Sequence, residues 1–380
     1  MSKQIMIIAG EPSADMHAAA LIKELKKLRP NLRISGIGGP AMRQAGAETF
    51  TDLTPYAVIG FWEVLKHFPK FKKAFHQALD KIKQEKPTAV ILIDYPGFNL
   101  RLAKKIKQQS PQTKVIYYIS PQIWAWGEKR IELIRSVVDK MIVIFPFEYT
   151  LYKKHGINVS FVGHPLAEHV YPRQDRQACL QETDLNDTDI IISLLPGSRE
   201  SEVKRILPLM LKSAKLMLEQ EPLAKFLILK ATNVGNDIFT RLTANYTHLP
   251  IRIINNNTCD FLAISSFAWV CSGTATLETA ILEIPMLIVY KTSFPTWFIS
   301  KQLIKLPYIG LVNVVAGEKI VPEFIQYRAT AQNITNCTRT FLKNSEDKKL
   351  LIEKLRQVKT TLGQTKANLE TARVICEFIN

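Results

Sequence analysis

Short apolar runs, each followed by an amphipathic stretch, recur along the whole chain and leave few folds open. In the first half the runs are Ile5 to Ala9, Arg33 to Ile37, Ala89 to Ile93, Lys114 to Ile119 and Met141 to Ile144. Helical periodicity fills the gaps, as in Ala14 to Leu28 and Leu100 to Gln109. Strands that alternate with helices build a parallel sheet covered on both faces. After Gly163-His164-Pro165 the chain turns polar through Pro172 to Arg176, and the alternation then restarts. Its second set is Ile190 to Leu195, Lys225 to Leu229, Ile251 to Ile254, Phe267 to Val270 and Met286 to Tyr290. The 380 residues exceed what one core holds, since domains run to roughly 150 to 200 residues. The expected fold is therefore α/β: two doubly wound, Rossmann-like domains facing across a cleft. Residues 1–170 form the first, 171–355 the second, and 356–380 a helix that packs back on the first domain or on a partner chain.

Composition narrows the function classes. A 47% apolar content belongs to a folded globular chain. The five cysteines are scattered, without zinc-site spacing, which fits a reducing compartment. Met1 to Glu11 is too brief in apolar residues for a signal peptide, and no run approaches the roughly 18 apolar residues of a membrane span. A net charge of +16 implies an anionic partner: nucleic acid, an acidic membrane surface or a phosphorylated substrate. No nucleic-acid-binding module is recognisable, so that partner is not expected.

Ligands of doubly wound sheets bind beyond the carboxyl ends of the strands, and the unusual residues fall there. Cys271-Ser272-Gly273-Thr274-Ala275-Thr276-Leu277-Glu278 follows a strand; a turn at Gly273 and a helix starting near Thr274 would offer free N–H groups to an anion. Glu278, one turn on, would accept hydrogen bonds from a pair of ribose hydroxyls. A capped helix after a buried strand explains the same residues equally well. Leu194-Leu195-Pro196-Gly197-Ser198-Arg199 is a second phosphate-type loop, in which Gly197 admits a phosphate, Ser198 caps and Arg199 offers a fork of donors.

In the first half, Glu11 follows the opening strand and is not explained by helix capping, whereas Pro12 and Ser13 are. Asp94 closes a nearly uninterrupted apolar strand, where burial raises a carboxyl pKa toward what a general base needs. Ser120 to Trp126 carries Gln122, Trp124 and Trp126 after another strand, and Asn313, Glu323 and Gln326 are late polar groups without an obvious structural task. Metal and dinucleotide signals are weak. Asp187-Thr188-Asp189 precedes its strand, and Gly36 to Ala41 fits G-x-G-x-x-A after the second strand, not the first. No metal and no cofactor is expected.

From Phe61 onward, Phe61, Trp62, Leu65 and Phe68 lie at helical spacing among lysines; Trp297 and Phe298 sit in a second cluster of the same kind. Burial in the core accounts for such a stripe, and so does contact with a bilayer interface.

Taken in order, AGEPSAD (Ala9 to Asp15), GIGGPAM (Gly36 to Met42), IDYPGFN (Ile93 to Asn99), SPQIWAW (Ser120 to Trp126), FVGHPL (Phe161 to Leu166), LLPGSRESEV (Leu194 to Val203), CSGTATLE (Cys271 to Glu278) and LVNVVAGEKIVPEFIQ (Leu311 to Gln326) resemble the lipid-A-disaccharide synthases, inverting glycosyltransferases of GT-B architecture. The chain departs from that family at Ala14, where glycine is usual, and at Gly97, where many members carry an acid. The resemblance implies transfer of a diacylated glucosamine from UDP-2,3-diacylglucosamine to the 6-hydroxyl of 2,3-diacylglucosamine 1-phosphate (lipid X), at the anionic inner face of the inner membrane. It implies Asp94 as the base, with Glu11 as runner-up or acceptor-orienting group. Gly197, Ser198, Arg199, Ser272 to Thr276 and Glu278 would hold the nucleotide. Asn313, Glu323, Gln326, Asn99, Gln122 and Trp124 would line the donor or acceptor side, and Phe61, Trp62, Leu65, Phe68, Trp297 and Phe298 would face the membrane. A UDP-N-acetylglucosamine 2-epimerase or the peptidoglycan-precursor transferase shares the nucleotide logic. Oligomeric state stays open.

Overall fold

The computed structural model describes residues 3–57, 61–126, 130–292, 297, 307–363 and 366–380, with backbone alone at 57, 61–66 and 125–126. It divides into two units, Met1–Glu168 with Leu362–Asn380, and His169–Thr361.

Among the described residues the first unit holds seven parallel strands: β1 (Gln4–Ala9), β2 (Arg33–Ile37), β3 (Glu48–Thr51), β4 (Ala89–Ile93), β5 (Lys114–Tyr118), β6 (Lys140–Val143) and β7 (Val159–Phe161). Their order in the sheet is β3-β2-β1-β4-β5-β6-β7. Ile5 to Ala9 and Ala89 to Ile93 are wholly buried, as central parallel strands covered on both faces must be. The order reverses between β1 and β4, which pair with Ala9 opposite Ile93. That pairing brings the loops after both strands to one end of the sheet.

The first unit is completed from the far end of the sequence. Helix Ala367–Phe378 packs on helix Pro12–Leu28. Carbonyls at a helix C-terminus lack partners inside the helix, and cationic side chains supply them here. Lys3 Nζ donates to Ile379 O (2.9 Å), Arg29 Nη2 to Cys376 O (3.1 Å) and Lys114 Nζ to Phe378 O (2.5 Å). Upstream, Asn368 N donates to Glu168 Oε1 at 2.9 Å, and His164 N to Leu362 O at 2.8 Å.

The second unit holds β8 (Ile190–Leu195), β9 (Ala224–Leu229), β10 (Ile251–Ile254), β11 (Phe267–Cys271), β12 (Met286–Tyr290) and β13 (Glu323–Ile325), ordered β10-β9-β8-β11-β12-β13 and parallel throughout. Here the order reverses between β8 and β11, with Val270 opposite Leu195. Trp269 is fully buried in this core, and its indole N–H reaches Thr338 Oγ1 at 2.8 Å. A buried donor left unpaired would cost about 1–3 kcal/mol.

Candidate active site

Glu11 and Asp94 leave β1 and β4 side by side at the reversal point of the first sheet. Asp94 and Tyr95 both adopt left-handed backbone, with φ of 47° and 46°. Two such residues in succession are strained unless their surroundings fix them. The fixing is visible. Asn99 Nδ2 donates to Ile93 O (3.1 Å) and Asp94 O (2.7 Å), Tyr117 Oη donates to Asp94 O (2.6 Å), and Asp94 N reaches Tyr118 O (3.1 Å). The Tyr95 ring lies over Gly10, where a Cβ would stand only 2.8 Å from a ring carbon. Burial pushes the Asp94 carboxyl above its ordinary value, partly offset by a hydrogen bond from the Tyr95 backbone N–H. Glu11 lies close enough for its charge to raise the Tyr95 hydroxyl, after burial itself.

Asn99 is fully buried and its Nδ2 is spent on the turn, so it shapes the Asp94 loop, while its Oδ1 has no partner among the described residues. Gln122 is exposed, and Trp124 is half-buried with its indole N–H on Glu148 Oε1 at 3.0 Å. Ser120 Oγ donates to the same oxygen at 2.7 Å. Glu148 was not singled out from the sequence. It is almost completely buried, its Oε2 has no partner among the described residues, and burial pushes its carboxyl up to about 7 against the pull of Ser120 and Trp124.

Asp15 explains the glycine-rich segment Gly36 to Met42. Its buried carboxylate accepts the backbone N–H groups of Gly39 (2.8 Å), Ala41 (3.0 Å) and Met42 (3.1 Å). The chain's own carboxylate thus occupies the donors that a dinucleotide phosphate would need.

In the second unit, the loops after β8, β9, β10 and β11 surround a cavity of about 680 Å³. Gly197, Ser198 and Arg199 meet Ser272, Gly273, Thr274, Ala275 and Glu278 there. Glu278 is half-buried, its carboxylate accepts no hydrogen bond from a described residue, and burial raises that carboxyl. Arg199 keeps 78% of its side chain exposed although Nη1 lies 3.1 Å from Glu202 Oε1. Glu202 modifies the expected phosphate loop, because its Oε2 already accepts Ser198 N (3.1 Å) and Arg199 N (3.2 Å). Gly197 is required for this arrangement: its φ is 125°, and a Cβ would stand 2.6 Å from the Cβ of Glu202.

Lys230 is a cavity residue that sequence reasoning missed. It follows β9, is 8% exposed, lines the cavity, and pairs with no carboxylate among the described residues. Asn255, Asn256, Asn257 and Thr258 line the same cavity after β10. The available signal was positional, since both loops leave the carboxyl ends of strands read correctly from the sequence.

Four further expected ligand residues carry hydrogen bonds within the chain. Thr276 is fully buried and donates to Gly273 O at 2.8 Å. Asn313 is fully buried: Nδ2 reaches Val321 O and Glu323 Oε1, and Oδ1 accepts from Ile320 N and Val321 N. Glu323 accepts Ile309 N (3.1 Å) and Gly310 N (2.9 Å), and Gln326 accepts Thr292 N (3.1 Å). These side chains tie the segments around β13 together, and Ser272 Oγ joins them through Ile309 O at 2.8 Å. Of the membrane-facing set, Phe68 is 55% exposed and Trp297 is half-buried against Tyr327. The side chains of Phe61, Trp62 and Leu65, and Phe298 entirely, lie outside the described residues. No group of three or more His, Cys, Asp or Glu is placed to hold a metal ion among the described residues, and no helix among them is long and apolar enough to cross a membrane.

The family model described as Lipid-A-disaccharide synthetase matches residues 5–377. "Lipid-A-disaccharide synthase 1" of Legionella pneumophila (strain Lens) is 41% identical over 367 residues, covering 97% of this chain and 95% of the relative. The lipid-A-disaccharide synthase of Geobacter metallireducens is 39% identical over 379 residues, covering 100% and 98%. Among solved structures, the UDP-GlcNAc 2-epimerase from Neisseria meningitidis bound to UDP-GlcNAc superposes with a TM-score of 0.65 at 14% identity, covering 98% of this chain and 100% of its own. A glycosyltransferase from Rickettsia africae gives 0.60 at 14%, covering 100% and 98%. Likeness to the epimerase extends to the fold alone.

Proposed function

Because the chain belongs to the lipid-A-disaccharide synthetase family and is a glycosyltransferase of lipid A biosynthesis, we propose how its two units divide the reaction. The first supplies the base and receives the acceptor, lipid X; the second holds the UDP of UDP-2,3-diacylglucosamine. Asp94 takes the proton of the acceptor 6-hydroxyl as that oxygen attacks C1 of the donor sugar. The bond from C1 to the diphosphate breaks with its electron pair going to UDP, and the configuration at C1 inverts. Arg199 and Lys230 meet the developing charge on the diphosphate, with the Ser272 to Ala275 turn beside them. Glu278 accepts the ribose hydroxyls, and Glu11 orients the acceptor. No metal takes part in this scheme.

The observation that carries the reading is Asp94: a carboxylate at the reversal point of a parallel sheet, in a turn fixed by Asn99 and Tyr117, with burial raising its proton affinity. Asp94→Asn is expected to lower kcat by about 10²- to 10⁴-fold, the usual worth of a general base, with UDP affinity unchanged. Product formation from UDP-2,3-diacylglucosamine and lipid X by mass spectrometry, with calorimetric titration of UDP, measures both. Near-normal turnover removes Asp94 from the role.

We further propose peripheral attachment to the anionic inner face of the inner membrane. Phe68, Lys70, Lys72 and Lys73 are exposed on one helix, and each lysine near such a surface contributes about 1 kcal/mol.

A further inference from the structure

Beside the Asp94 turn lies a groove of about 480 Å³, within the roughly 300–1,000 Å³ of small-ligand sites, between helices Phe61–Glu85 and Pro96–Gln109. Its walls are the rings of Phe68, Phe71, Phe75, Tyr95 and Phe98. Phe75 meets Phe98 edge-on at 5.6 Å, and Tyr95 stacks on Phe98 at 6.0 Å. The rim is of opposite character. Lys72 and Arg101 line it, both exposed and neither paired with a carboxylate among the described residues. Gly97 completes the lining, and a Cβ built there meets no atom within 4 Å, so this side is open.

An aromatic trough with two unpaired cations at its edge matches an anionic amphiphile: an alkyl chain with a phosphate. Tyr95 belongs both to the trough and to the strained turn, next to Asp94 in the chain. We propose that this groove seats one fatty acyl chain of the acceptor, with the acceptor phosphate on Arg101 and Lys72, and so fixes where the acceptor hydroxyl lies relative to Asp94. The inference rests on the assignment of Asp94 as base, but its test does not depend on turnover.

The probe is decyl phosphate below its micelle concentration, titrated calorimetrically into the full chain. Saturable binding is expected, weakened at least tenfold by Gly97→Trp, which fills the open side, and by Arg101→Ala, with the circular dichroism spectrum and urea unfolding midpoint retained in both as the check on folding. Asp94→Asn binds the probe like the unsubstituted chain, so a failure of the base assignment and a failure of the groove read out separately. Undiminished binding in Gly97→Trp overturns the proposal, and undiminished binding in Arg101→Ala overturns the phosphate seat. Displacement of the probe by vesicles of phosphatidylglycerol but not by lipid X overturns it in favour of a bilayer-docking surface.

Discussion

At the scale of single residues, the two candidate centres differ in how their carboxylates are treated. Asp94 and Glu278 are left without side-chain partners among the described residues and are raised by burial, whereas Asp15 and Glu202 are consumed by backbone N–H groups. A carboxylate held by no side chain keeps oxygen lone pairs for a proton or a hydroxyl. Since Asp94 acts when ionised and its pKa lies above 3.8, the acid limb of kcat/KM against pH should break above that value. The residual activity of Asp94→Asn should lack that limb. Lys230→Ala and Glu278→Gln should each weaken UDP binding, by about tenfold or more if a charge-assisted bond of about 1.5–3 kcal/mol is lost; an unchanged Kd removes the residue from the site. Asp94 was legible as a candidate because it stands just beyond an apolar strand, and Glu278 because it lies about one turn into the helix that follows another. Lys230 was not, because a lysine after a strand is ordinarily a solvated loop residue and only burial distinguishes it. The bonds that Asn313, Glu323 and Gln326 make to backbone groups were not legible either, because a sequence does not display such partners.

At the scale of elements, the central strands were readable to within a residue or two because burial on both faces makes them uninterrupted apolar runs. β3, β7 and β13 escaped notice. Each is a short edge strand with polar, partly exposed residues, as in Glu48-Thr49-Phe50-Thr51, so neither periodicity nor hydropathy marks it. Helix Pro146–Lys154 carries Glu148 under the Ser120 to Trp124 segment. Its carboxyl rises from 4.5 to about 7 on folding, so between those values the unfolded chain ionises while the folded chain stays protonated. Stability should therefore fall with rising pH across that window, and Glu148→Gln should flatten the slope in denaturant titrations at pH 4.5 and 7.5. A slope unchanged by the substitution assigns the effect elsewhere. In the second core, Thr338→Val should cost about 1–3 kcal/mol by orphaning the Trp269 N–H, measured by urea unfolding.

At the scale of the whole molecule, the repeated alternation announced two doubly wound sheets, and the family match agrees with them. The sequence left the tail either on the first domain or on a partner chain, because the bonds that seat it run from Lys3, Arg29 and Lys114 to main-chain carbonyls hundreds of positions away. Peripheral attachment has its own test at this scale: sedimentation with phosphatidylglycerol vesicles at low salt, lost as salt rises, with soluble behaviour at low salt counting against it. The return of Leu362–Asn380 also orders events at the ribosome. The sheet of the first unit emerges early but waits for its covering helix until everything between has been translated, on the order of 10 to 40 s at about 5–20 residues per second. The unit begun first is finished last, and during that interval the apolar side of Pro12–Leu28 is a natural client surface for chaperones.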